Sequence, residues 1–83
     1  MEFVIAVYRS RNVSMRVYNY LSSQGVTAAL ISTPRSANVG CGLSVKFNKS
    51  AYPALKGILS SAETFVGFFL VKNTYSGSTV VRI

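Results

Sequence analysis

The chain has 83 residues, 49% hydrophobic and only 13% charged, with nine Lys or Arg against two acidic residues and a net charge of +7. That length suits a single domain burying about 60% of the surface its unfolded chain exposes, and the apolar content excludes a disordered chain. With no histidine, one cysteine and only Glu2 and Glu63 as side-chain carboxylates, it lacks the parts for a metal shell or for acid–base hydrolysis.

Residues 2–8 are β-branched, aromatic and almost wholly apolar, as in a strand buried on both faces. Ser10 or Asn12 can cap a helix over about 11–24, in which Val13, Val17, Tyr20 and Leu21 share one face and Gly25 supplies the left-handed terminus. Val26 to Ser32 reads as a second strand, stopped by Pro34. Residues 35–40 form a polar loop, in which Ser36 and Asn38 can offer hydrogen bonds. From Gly42 to Phe47, Leu43, Val45 and Phe47 alternate with Ser44 and Lys46, the pattern of a half-exposed strand.

Ser50 can cap a second helix running to about Ala62, with Pro53 in its first turn and Ala51, Leu55, Ile58 and Leu59 on its apolar side. Gly57 weakens that helix by about 1 kcal/mol relative to alanine. Residues 64–71 form a fourth strand, 73–78 a turn, and 79–83 a short edge strand. Residues 1–73 thus make the domain, and 74–83 a C-terminal turn and edge strand. The order β-α-β-β-α-β predicts an α+β, ferredoxin-like sandwich, an antiparallel sheet with two helices on one face. In it the first and third strands are central neighbours. Arg9, Arg11, the start of the first helix, Arg35 and Cys41 then meet at one edge of the sheet.

One cysteine cannot staple a secreted domain, and the N-terminus lacks a signal-peptide pattern. The longest apolar run, 65–71, is far short of the roughly 20 residues that span a bilayer. A cytoplasmic location and no membrane partner are therefore expected. The cationic surplus attracts anions of any class. Residues 65–71 superficially resemble the aromatic strand of RNA-recognition domains, but there the aromatics lie on the third strand. Core packing is the favoured reading, and nucleic acid a weakly supported partner. The apolar surface also leaves homo-oligomer formation open.

Cys41 is the reactive side chain that elimination leaves. Thiolate character rises near cations and helix N-termini, both of which the inferred edge supplies. Gly40 and Gly42 remove side chains on either side, letting a partner approach the sulfur; the plainer alternative is a small buried hydrophobe at a strand start. Thr33-Pro34-Arg35, five residues, then Cys41-Gly42-Leu43-Ser44-Val45-Lys46-Phe47 resembles the selenium/sulfur carrier protein-like family, over about residues 2–71. The resemblance implies that Cys41 holds sulfur or selenium as a persulfide or selenosulfide, a covalent load rather than a cofactor. It carries over Thr33, Pro34, Arg35, Cys41 and Gly42. Between Arg35 and Cys41 this chain has Ser36, Ala37, Asn38, Val39 and Gly40, where the family pattern has an acidic residue, a bulky aliphatic and serines. The expectation is a carrier, not a turnover enzyme, with donor and acceptor proteins as partners; Arg35 with Arg9 or Arg11 would stabilise the anion. The alternative is a basic binding or regulatory module that recognises RNA or an acidic protein, with Cys41 incidental.

Overall fold

The computed structural model describes residues 2–37 and 40–83. The first apolar run forms β1 (Glu2–Tyr8), and α1 (Arg11–Ser23) follows. Of the two candidate caps, Ser10 is the one used: its hydroxyl accepts the Val13 amide at 3.3 Å. Gly25 takes the left-handed conformation at φ 76°, and the chain enters β2 (Ala28–Ser32). After a 3₁₀ turn at Arg35–Ala37 come β3 (Leu43–Asn48) and a second 3₁₀ turn at Lys49–Ala51, then α2 (Tyr52–Ser60), β4 (Phe65–Thr74) and β5 (Gly77–Arg82).

Several element ends differ from expectation by a few residues, and at two places polar side chains explain the difference. Asn48, not Ser50, supplies the cap, and it caps the 3₁₀ turn that leads into α2: its side-chain Oδ1 accepts the Ser50 amide at 2.9 Å, while α2 itself has no side-chain cap. The expected 73–78 turn shrinks to Tyr75 and Ser76, since β4 pairs with β5 as far as Thr74 and Gly77. The Thr74 hydroxyl donates to the Gly77 carbonyl and the Ser78 hydroxyl to Asn73, so residues typical of turns hold a hairpin end instead.

The five strands form one antiparallel sheet in the order β2-β3-β1-β4-β5, with β1 at the centre. Val4, Ala6, Tyr8, Val45, Phe47 and Phe68 point to one face and form a single core with Val13, Val17 and Leu21 of α1 and Leu55 and Leu59 of α2. Ile5, Val7, Phe69 and Val71 point to the other face, where Ala37 of the first 3₁₀ turn covers them. That cover corrects one expectation. Ser44, placed by alternation on a half-exposed side of β3, is fully buried there, and Lys46 is half-buried with its ammonium 4.4 Å from the centroid of the Phe3 ring. Among the described residues, no helix is long and apolar enough to cross a membrane.

Candidate functional site

The end of β1 sets the site. Pairing with β4 shifts register between Val7 and Tyr8, which leaves Val66 as an extra residue in β4. The carbonyl of Val66 accepts the Arg82 guanidinium at 2.7 Å. Just beyond, Thr64 holds a left-handed backbone at φ 62°, costly for a β-branched residue. Its carbonyl accepts the Arg9 amide at 2.9 Å and its hydroxyl accepts the Ser10 amide at 3.3 Å. The turn before β4 thereby fixes the corner at which α1 begins.

The loop from Thr33 to Gly42 closes over this corner. The Thr33 amide donates to the Gly42 carbonyl at 2.8 Å, and the Thr33 and Ser44 hydroxyls are hydrogen-bonded to each other. The Pro34 carbonyl accepts the Ala37 amide at 3.0 Å, which starts the 3₁₀ turn. Thr33 and Pro34 therefore act first as the clasp and the corner of the loop. Asn38 and Val39 lie outside the described residues. At Gly40 (φ 80°) a Cβ would fall 2.5 Å from the Tyr8 carbonyl oxygen and 2.8 Å from Val7 Cγ1, so only glycine fits against the strand. Gly42 is also left-handed (φ 86°) but faces open space. The two glycines differ: Gly40 allows backbone contact with β1, and Gly42 allows the turn into β3.

Cys41 is half-buried, and its amide donates to the Tyr8 carbonyl at 3.1 Å. Its sulfur lies 3.6 Å from the Leu43 carbonyl and 4.0 Å from the Ser14 hydroxyl. Ser14 is fully buried, and its hydroxyl also reaches the Leu43 carbonyl at 3.0 Å and the Ser10 carbonyl at 3.4 Å. Sequence reading passed over Ser14, although a signal was present: it lies beside Val13, three and seven residues before Val17 and Leu21, a polar residue on an apolar helix face.

The start of α1, the end of β1 and Cys41 therefore meet, as the topology implied. Arg9 and Arg11 flank the Ser10 cap, and Arg35 sits on the 3₁₀ turn, which packs against β5. All three are exposed, and among the described residues their guanidinium groups have no hydrogen bond or ion pair and none touches the sulfur. By contrast Arg16 pairs with Glu63 at 2.6 Å, tying α1 to the segment after α2. Phe65 and Phe68, the aromatics of the RNA-recognition comparison, pack inside the helix-covered core, and Phe69 faces the opposite side under Arg82.

The family model described as "Putative Se/S carrier protein-like" matches residues 3–67, a span containing every element from β1 to the start of β4. No curated protein and no solved structure matches the chain.

Proposed function

The chain belongs to the Se/S carrier protein-like family, and from that premise we propose that it carries a zero-valent sulfur or selenium atom on Cys41 and passes it to a partner protein. The observation that carries this reading is the placement of the sulfur: half-buried, anchored through its own amide to the Tyr8 carbonyl, and beside the Ser14 hydroxyl. A donor enzyme bearing a persulfide or selenosulfide supplies the atom. The Cys41 thiol gives its proton to solvent, and the thiolate attacks the donor's terminal chalcogen. The Cys41–chalcogen bond forms, the donor's sulfur–chalcogen bond breaks, and the donor leaves as a thiolate. Attack by an acceptor thiolate reverses these steps, with no external oxidant or reductant. Such a protein is a carrier used once per transfer and not a turnover enzyme, and a reducing, cytoplasmic setting suits its free thiol.

Ser14 is the group that can turn its O–H toward an anionic sulfur. Gly40 seats the loop on β1 and Gly42 turns it into β3, which sets the sulfur in place, and Arg9, Arg11 and Arg35 are exposed cations available to acidic surfaces of donor and acceptor. We read the portion with strand order β2-β3-β1-β4 as a ferredoxin-like unit extended by β5. Those three guanidiniums have no partner among the described residues, which also favours a second reading, a basic module for RNA or an acidic protein in which the thiol is incidental.

Intact-mass measurement after incubation with a donor already bearing a persulfide or a selenosulfide separates the two. Carriage adds roughly 32 Da or 80 Da, and the adduct is absent from Cys41→Ser. No adduct with several donors, together with salt-sensitive anion binding unchanged in Cys41→Ser, would overturn carriage in favour of the binding module.

A further inference from the structure

Arg82 is an exposed residue whose guanidinium is nonetheless seated on the sheet. It pairs with Phe69 across β4 and β5, and its guanidinium carbon lies 5.7 Å from the centroid of the Phe69 ring on the loop-covered face. From there it donates to the Val66 carbonyl at 2.7 Å. Gly67 makes the passage, because a Cβ at that position would fall 3.0 to 3.2 Å from three guanidinium atoms. Val66 is the extra residue of the bulge, left out of the regular pairing, so a donor from β5 braces the point where the register of β1 shifts. Two routes lead from this point to the thiol. Gly67 pairs with Val7, against which Gly40 is seated, and the shift begins at Tyr8, whose carbonyl takes the Cys41 amide at 3.1 Å. The 3₁₀ turn at Arg35–Ala37 packs against β5, and Ala37 is buried with Val7 in the cluster that Val66 and Val80 border.

We infer that Arg82 is a positioning residue for Cys41: clamped on the bulge, it holds the end of β1 and the 3₁₀ turn so that the thiol loop stays seated. Its hydrogen bond goes to Val66 and not to the sulfur or the sulfur's neighbours Ser14 and Leu43, so it acts through the backbone of β4 and β1. Without the guanidinium the Val66 carbonyl turns to water, and the Tyr8 carbonyl loses the brace that keeps it aimed at Cys41. A planar fork suits the task, since it lies over a ring and donates sideways at once, which an ammonium does less well. The strand that supplies it, β5, lies wholly beyond the matched residues 3–67, so the brace is added to the family unit from outside it. That the same seat shields a loaded sulfur rests on the carrier reading; the positioning of the thiol does not.

Alkylation of the full chain by iodoacetamide, an uncharged reagent, reads the seating of Cys41. Amide exchange separates local from global opening, with Cys41 compared against Phe47, which lies on an inner strand at the far end of the sheet. Arg82→Ala should raise the alkylation rate and the Cys41 amide exchange about tenfold, while exchange at Phe47 rises several-fold less. Loss of a cation lowers the thiolate fraction, so a faster reaction reports opening and not activation. Arg82→Lys, which keeps a donor, should return the rate to within about threefold of the parent. Gly67→Ala leaves Arg82 in the chain but presses its guanidinium away from the bulge, and should raise the rate about two- to threefold; combined with Arg82→Ala it should add nothing further. Equal rates in parent and Arg82→Ala overturn the inference, and so does a rise that Phe47 matches factor for factor, which is lost stability alone. A parent that takes up no chalcogen, yet alkylates faster as Arg82→Ala, overturns carriage and keeps the positioning. A loaded parent whose Arg82→Ala variant alkylates at the parental rate does the reverse.

Discussion

On one face of the sheet Tyr8, Phe47 and Phe68 are sealed by two helices; on the other Ile5, Val7 and Phe69 are sealed by a three-residue turn, a close-packed glycine and two cations laid over aromatic rings. The first closure is ordinary core packing by residues at helical spacing. The second is performed by the loop that carries Cys41. Among the described residues no helix covers that face, so the segment that carries the thiol also keeps water from Ile5 and Val7. Stability and site are coupled on that face and nearly independent on the other.

Truncating the two neighbouring phenylalanines of β4 gives the largest expected effect. Phe68 and Phe69 are 6% and 7% exposed, but Phe68 meets the rings of Phe47, Tyr52 and Phe65, with centroids 6.4, 5.1 and 4.8 Å away. Phe68→Ala should leave an enclosed cavity and cost about 3–5 kcal/mol in chemical denaturation. Phe69→Ala opens a dent that solvent can fill, so mainly the transfer energy is lost, about 1.5–3 kcal/mol. Equal losses would mean the loop-covered face is packed as tightly as the helix-covered one.

The glycines beside Cys41 sharpen the comparison at the loop itself. Gly40→Ala combines a left-handed backbone with overlap against Tyr8 and Val7, and should cost roughly 2–4 kcal/mol while raising the alkylation rate of Cys41 as the loop lifts. Gly42→Ala bears only the backbone penalty of about 1–2 kcal/mol, because the space around it is open. A loss at Gly40 no larger than at Gly42 would break the argument that the loop is seated on β1.

Tyr8 links the two regions, since its hydroxyl donates to the buried Leu59 carbonyl at 2.8 Å while its own carbonyl holds Cys41. Tyr8→Phe leaves that buried carbonyl without its donor, at about 1–3 kcal/mol. Burial raises the phenol well above its ordinary value of 10.0. The unfolded chain releases this proton near pH 10 and the folded chain keeps it, so stability falls as pH rises from there. The contribution is complete below the unfolded value. The slope of unfolding free energy against pH above about 10 should therefore be shallower in Tyr8→Phe than in the parent. An unchanged slope would show that Tyr8 does not govern alkaline unfolding.

The fold was legible where one period ruled a segment: residues 2–8 as a doubly buried strand, and Val13, Val17 and Leu21 as a helix face. It was less legible where polar side chains act on the backbone. Asn73, Thr74, Gly77 and Ser78 have turn composition, yet their cross-strand hydrogen bonds lengthen the hairpin. Ser44 reads as a solvent-facing residue because alternation carries no information about a loop folding over its side of the sheet. The meeting of β1, α1 and Cys41 followed from topology. Ser14 did not, because its role comes from a neighbour 27 residues away.

That distance bears on how portable the Thr-Pro-Arg to Cys-Gly signature is. Three separated stretches of chain surround the thiol: the Tyr8 carbonyl at a strand end, Ser14 in the first turns of a helix, and the Thr33–Gly42 clasp. A synthetic peptide of residues 33–47 would contain every letter of the signature and lack the Tyr8 and Ser14 contacts. To graft the site onto another protein, a designer would need a strand that ends in an open carbonyl, and a helix leaving it with serine as its fourth residue.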